Sequence, residues 1–484
     1  MVCHYNIHQI CLASTISPAN PVHPKASSRE IQDQQNESFN SKLEALTGGY
    51  SGIINNGSPN PLLVPAKLHR SVARIHEALV LGLTNIVERW CADEQAVFSR
   101  RMPLEPHEED LLRWLHEQAC EKNLRQFWEC QGHWRTDFLL SAEWPRSLQI
   151  CEINTRYSIN AQLIAAYGYE VYGQMASERS VFAATDAEEF VQSQLELFDS
   201  RFPVHIINDQ HLTSFVEMFV SYAERNTGLQ PTIVKPSDLR LVQDHESATG
   251  HSLYCKSTRE HPDLVENGEP LDRIYQTGMY LLPHELRSMP VEILRQLALC
   301  CVNDMRSILL IHDKRILGIL LEELDSLVEQ HRILTAEQAE LLRQGVVPTI
   351  NPGSAKLEQF IDQCTKTNTA NDSYIIKPVR SARGEGILLG KELSPTQWEA
   401  LLIDMRDPKL APGRAVYIIQ PLIRQSVFEV IDHRGDSQVC PIVGCSHLAN
   451  GKFTGLGCWR AGGTEVCNMN NRAFWTMGVV ARPS

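Results

Sequence analysis

One segment near the C-terminus constrains the fold more than any other. From Ser373 the chain reads Ser-Tyr-Ile-Ile-Lys-Pro-Val-Arg-Ser-Ala-Arg-Gly-Glu-Gly-Ile-Leu-Leu and closes on Gly390. Tyr374 to Lys377 has the make-up of a short strand ending in a lysine. Arg380 to Gly386 is a polar loop with two glycines, Gly384 and Gly386, and Ile387 to Leu389 begins a second strand. Such a loop can lay backbone N–H groups over phosphate oxygens, because glycine permits the close approach. Lys377, with Arg380 or Arg383, would add positive charge to the same anion. No Gly-Lys-Ser/Thr follows, which excludes a Walker loop. A strand rather than a helix comes next, which excludes a dinucleotide fingerprint. A plain β-hairpin with a charged tip is the competing reading of these residues.

A second signal lies at Cys151-Glu152-Ile153-Asn154-Thr155, at the end of an apolar run. The two-residue period of a strand puts Glu152 and Asn154 on one face. A carboxylate and an amide oxygen so placed suit Mg²⁺, a hard cation that takes oxygen ligands. Glu-x-Asn is a common triplet, so an ordinary strand end is the alternative.

Charge narrows the partners. Lys and Arg number 45 against 58 Asp and Glu, a net charge of −13. That argues against a broad basic surface for nucleic acid or anionic lipid, though not against a local cationic cluster around a phosphate. No run approaches the roughly 18–20 apolar residues that span a bilayer. The first fifteen residues, MVCHYNIHQICLAST, carry no basic cluster, so a signal peptide is not expected and the cytoplasm is. The 14 cysteines are scattered, and Cys300, Cys301, Cys440, Cys445, Cys458 and Cys467 form no CxxC pair. Free thiols in a reducing cytosol are expected rather than disulfides or a closed zinc site.

Along the chain, residues 1–60 read as a disordered polar tail. Ser27 to Ser41 is rich in Gln, Asn, Ser and Glu, and Gly48-Gly49 and Asn55 to Pro61 are rich in turn residues. A helical stripe follows at Val72, Ile75, Leu79 and Leu83, and a second helix is expected over Glu108–Cys130. Beyond it, short apolar runs at Leu148–Ile153, Pro203–Ile207 and Ile308–Ile311 alternate with helix-length segments, an α/β rhythm. Thr335 to Gln338 and Ser394 to Gln397 are capping boxes. Pro203 to Val234 reads as strand, helix, strand of parallel-sheet type. The expected divisions are 61–202, 203–311 and 312–484.

Taken together, the two signals resemble the eukaryotic glutathione synthetase family, an ATP-grasp ligase of permuted topology. Glu152 to Thr155 reproduces that family's E-I-N-T metal motif. Lys377, Pro378 and Arg380 reproduce the start of its K-P-x-R glycine loop. Trp134 to Phe138 resembles the R-S-D-Y segment whose arginine contacts substrate, here Arg135. His312 to Arg315 resembles G-T-K-K, read here as a strand's end opening a helix, with Lys314 as the ATP contact. Tyr417 to Ile423 resembles the hinge that holds adenine, with Gln420, Leu422 and Ile423 in the family's positions. The islands run in the family's order from Trp134 to about Arg460.

The departures are also informative. Ser381 stands where the family has a metal-binding glutamate, which leaves Glu385 as the candidate substitute. Tyr275 to Tyr280 lacks the arginine that meets the family's peptide substrate, and Trp459-Arg460-Ala461 lacks the lysine of its R-T-K. The resemblance therefore implies a permuted ATP-grasp fold with an inserted parallel-sheet substrate domain between about 203 and 311. It implies ATP and Mg²⁺ as cofactors, Arg135 and Arg460 on the acid, and amide formation through an acyl phosphate. The acid and the amine would be small molecules other than those of glutathione synthesis, and a homodimer is the family default. A phosphotransferase or a weakened nucleotide-binding regulator would keep the fold and lose the ligase reaction.

Overall fold

Apolar residues recurring every three or four positions make the helix Ala66–Arg89, whose buried stripe includes Leu68, Val72, Ile75, Leu79, Leu83 and Ile86. This helix packs on one face of a central sheet, over the strand Lys452–Leu456. The computed structural model describes residues 5–15, 17, 20–143, 148–157, 159–176, 181–209, 213–367, 371–381, 384–462, 466–467 and 473–481.

Seven strands form the central sheet, from segments far apart in the chain. The path runs Phe474–Thr476, Trp459–Ala461, Ser437–Ala449, His133–Leu140 and Leu148–Asn154, and Val427–Ile431 and Lys452–Leu456 also pair with the long Ser437–Ala449 strand. Every pairing within it is antiparallel. The glycine-loop hairpin belongs to a separate sheet, in the order Leu388–Leu389, Tyr374–Pro378, Tyr417–Pro421. The two capping boxes form, with Thr335 Oγ1 accepting from Gln338 N–H at 3.1 Å and Ser394 Oγ from Gln397 N–H at 3.3 Å.

Between 203 and 311 the chain builds two sheets. Thr277–Met279, His205–Ile207 and Thr232–Val234 are parallel, and the helix Thr213–Thr227 links the last two. A four-stranded antiparallel sheet accompanies them, in the order Leu264–Glu266, Glu269–Arg273, His251–Lys256, Leu239–Gln243. Its sharpest turn is Asn267-Gly268, where φ is 51° and 81°, the pair of positive values a two-residue hairpin requires.

Three expectations are corrected. The polar N-terminal segment is ordered, not a disordered tail. Arg29–Thr47 is a helix capped by the Ser28 hydroxyl and ended by left-handed Gly48. It buries only every fourth residue, Gln35, Phe39, Leu43 and Thr47. A stripe that narrow gives a polar composition yet still docks, with Phe39 packed 5.4 Å from Tyr172 and 6.0 Å from Trp475, centroid to centroid. The run Ile308–Ile311 is not a strand. Ser307–Ile311 is a π-helical turn, buried throughout, and an aperiodic apolar run cannot separate a buried strand from a buried helix. The helix expected over Glu108–Cys130 spans Pro106–Cys120 and stops before Lys122, whose φ is 64°.

Among the described residues, no helix is long and apolar enough to cross a membrane.

Candidate functional site

Register in the central sheet builds the site. On His133–Leu140, Arg135 lies opposite Asn154 and Asp137 opposite Glu152. On the other edge of that strand the same two residues face His447 and Cys445. Arg460 enters from the short strand that pairs through Val443. All five polar side chains, Arg135, Asp137, Glu152, Asn154 and Arg460, line one cavity of about 510 Å³. Asp137 joins the two arginines. It accepts from Arg135 Nε and Nη2 at 3.0 and 3.1 Å, and from Arg460 Nη2 at 2.7 Å. Burial opposes charge on both guanidinium groups, and the Asp137 carboxylate more than restores it, so both stay cationic.

Glu152 sits beside this cluster. Asn154 Nδ2 donates to its Oε1 at 3.4 Å, and Lys314 Nζ lies 3.6 Å from its Oε2. Burial alone would push the Glu152 carboxyl up, but Lys314, Lys377 and Arg135 outweigh it and hold the group well below the usual carboxylate range. An ionised carboxylate next to an amide oxygen is a donor set that fits Mg²⁺, which needs few protein ligands when phosphates supply the rest. Glu385 does not join them. It lines a neighbouring cavity of about 530 Å³ with Arg380, Ser381 and Gly386. Among the described residues, no three His, Cys, Asp or Glu side chains gather as a metal cluster.

The glycine-loop hairpin closes another wall. Lys377, Gly384, Gln420, Leu422 and Ile423 all line the 510 Å³ cavity. Antiparallel register sets Lys377 opposite Ile418 and Ile375 opposite Gln420. Lys377 is buried, and among the described residues no hydrogen bond or ion pair holds its ammonium. Lys314 Nζ donates to the Ser381 carbonyl at 2.7 Å, which ties the loop to the start of the helix Arg315–Glu329. Gln420 Nε2 donates to Thr349 Oγ1 at 3.0 Å, and the Leu422 N–H donates to the Ser373 carbonyl at 2.7 Å.

Arg380 is placed differently from its sequence role at the phosphate. Its Nε donates to Asp313 Oδ2 at 3.0 Å and its Nη1 to both Glu108 oxygens at 2.7 and 2.9 Å. It faces the 530 Å³ cavity rather than the one holding Lys377. Gly386 borders that same 530 Å³ cavity, with φ 71°, and a Cβ there would come within 2.9 Å of Pro378. Arg383 lies outside the described residues.

Sequence reasoning missed several lining residues. Asp137 stood within a quoted segment yet reads locally as a partner of Arg135 only. His312 also lines the cavity, and burial, with Arg156 and Lys314 nearby, holds its imidazole neutral. Tyr50, Phe215, Tyr280 and Trp475 add an aromatic wall from four separate segments. No motif announces these, because each belongs to a different element.

Residues 75–310 match the family model described as the AnkG N-terminal domain. The chain is 35% identical to "ATP-grasp enzyme ankG" of Aspergillus thermomutatus over 493 residues, covering 98% of this chain and all of that one. Among solved structures, a glutathione synthetase-like effector from Globodera pallida in apo form matches with a TM-score of 0.55 at 12% identity. The match covers 96% of this chain and 99% of that one, and is a likeness of fold.

Proposed function

Because the chain belongs to the family of ATP-grasp enzyme ankG, we propose that it is an ATP- and Mg²⁺-dependent ligase that joins a carboxylate to an amine. The observation that carries this reading is the single cavity in which Lys377, the Glu152–Asn154 pair, the Arg135–Asp137–Arg460 cluster and the Gln420–Ile423 strand end all meet. A metal strand early in the chain and a glycine-loop hairpin late in it support the permuted form of the fold.

Adenine would lie against Gln420, Leu422 and Ile423, and Gly384 would cover the phosphates. The Lys377 ammonium has no hydrogen-bond or ion-pair contact among the described residues, with the Glu152 carboxylate acting on it only at longer range, which suits a phosphate partner. Lys314 already spans Glu152 and the Ser381 carbonyl, so it would link the phosphates to the loop. Glu152 and Asn154 would hold Mg²⁺, which when bound neutralises charge on the phosphate oxygens. Arg135 and Arg460 would draw in the acid, oriented by the Asp137 they share. The acid's carboxylate oxygen attacks the γ-phosphorus and ADP leaves. The amine then attacks the acyl carbon, the C–O bond to phosphate breaks, and the amide forms as the amine proton leaves with phosphate. Closure of the glycine loop would keep water from the acyl phosphate. The substrates are small molecules. Thirteen free cysteines among the described residues suit a reducing cytoplasm, and a homodimer belongs to the same reading.

The test is calorimetric titration of Mg-ATP into wild type, Lys377→Ala and Glu152→Ala, followed by turnover with acid–amine pairs. Wild type should bind. Both variants should lose about 100-fold or more in turnover with an unchanged far-UV spectrum. ADP and phosphate should appear only when both acid and amine are present. A stable phosphorylated acid would mean a phosphotransferase, nucleotide binding without turnover would mean a regulator, and no nucleotide binding by wild type would mean a non-enzymatic protein whose motifs are relics.

A further inference from the structure

Phosphates, a metal and a carboxylate account for the charged lining of the 510 Å³ cavity, and the Gln420–Ile423 strand end accounts for adenine. None of these calls for the aromatic wall. Tyr50 and Phe215 meet edge to face with centroids 5.2 Å apart and planes at 80°. Tyr280 stands beyond the last residue of a parallel strand, its N–H donating to the Ile207 carbonyl at 2.9 Å. Ala161 and Ile164 of the helix Ile159–Ala176 fill in between as lining residues. Tyr50 reaches the cavity because Gly48 and Gly49, with φ of 62° and 81°, turn the chain after the N-terminal helix. The rings come from the turn after the N-terminal helix, from the helix Thr213–Thr227 and from a strand end, and they are open to the same space as Arg135 and Lys377. Rings that line a cavity continuous with a charged centre present flat apolar surface to whatever enters it.

We infer that one of the two substrates carries an aromatic ring and seats it among Tyr50, Phe215 and Tyr280, with its reacting carboxylate or amine at the Arg135–Glu152 centre. This deepens the ligase reading above and rests on it. A ring buried against these side chains, compared with a methyl group, tightens binding by about tenfold or more.

The test uses the full chain with a non-hydrolysable Mg-ATP analogue at saturation. One arm compares N-acetyl-L-phenylalanine with N-acetyl-L-alanine, acids without a free amine. The other compares L-phenylalaninamide with L-alaninamide, amines without a free acid. In one arm the aromatic probe should bind about tenfold tighter or more, and that arm identifies which substrate bears the ring. Tyr50→Ala and Phe215→Ala should each shrink the preference to about threefold or less while the analogue binds as before. Should either fail to fold, Tyr50→Leu and Phe215→Leu keep apolar volume without the ring and should shrink it too. Equal affinity for ring and methyl in both arms overturns the inference, as does binding of the analogue with no binding of either aromatic probe. A wild type that prefers the ring yet binds no nucleotide keeps the inference and overturns the ligase reading.

Discussion

At the residue scale, the charged groups work in shared sets. Asp137 is divided between Arg135 and Arg460, and Asp313 between Arg315 and Arg380. Burial pushes the Asp313 carboxyl up, but Arg315 and then Arg380 outweigh it and bring the group down to about 2 from its ordinary 3.8. A depressed carboxyl contributes stability that is present above the unfolded value and is lost as pH falls through the folded one. The loss therefore falls between about pH 4 and pH 2. In Asp313→Asn that contribution is absent at every pH, so the gap in unfolding free energy between wild type and variant should close by about 2 kcal/mol across this window. Urea titrations at stepped pH would measure it, and a gap of constant size would refute the assignment. Glu152 and Asn154 were legible in the sequence because a period of two is local. The role of Asp137 was not, because its second partner, Arg460, is 323 positions away and only sheet register joins them.

At the element scale, the glycine-loop hairpin was readable strand by strand, since Tyr374 to Lys377 and Leu388 to Leu389 carry the apolar residues and the glycines mark the turn. Its anchorage was not readable. The loop is fastened on one side by Arg380 to Glu108, on the helix Pro106–Cys120, and on the other by Lys314 to the Ser381 carbonyl. Arg380 is thus a positioning residue for the loop. Arg380→Ala should raise KM for ATP by about tenfold and leave KM for the acid within about twofold, because in the proposed ligase the acid would meet Arg135 and Arg460 instead. Arg380→Lys should rescue only part, since an ammonium cannot bridge Glu108 and Asp313 as the planar guanidinium does. Steady-state kinetics varying each substrate in turn would decide, and equal rises in both KM values would count against the assignment. The π-helical turn at Ser307–Ile311 shows the opposite limit, where strong apolar character fixed burial and left the backbone path open.

At the scale of the whole molecule, the α/β class and the order of the site islands were legible, while the N-terminal docking was not. The Gln9 amide brackets the Ile431 backbone, donating to its carbonyl at 2.9 Å and accepting from its N–H at 2.6 Å. Leu62–Leu63 pairs with Gly478–Ala481, and Trp475 packs on Phe39. Polar composition concealed this, because side-chain amides and one narrow stripe do the docking. Removing residues 1–60 should therefore strip cover from Tyr172 and Trp475 and delete Tyr50 from the cavity. The shortened chain should lose its near-UV circular dichroism and its cooperative thermal transition. A shortened chain that melts like wild type would mean that the segment is dispensable. The interleaving of early and late strands in the central sheet also bears on how the protein is made. At about 5–20 residues per second, translation brings out Lys377 on the order of ten to forty seconds after Asn154. The strand Leu148–Asn154 first has only His133–Leu140 as a partner, and the sheet gains Trp459–Ala461 and Phe474–Thr476 only after the long intervening segments are made. A nascent chain that stalls before those strands emerge lacks Arg460, so Asp137 is left with Arg135 as its one arginine partner.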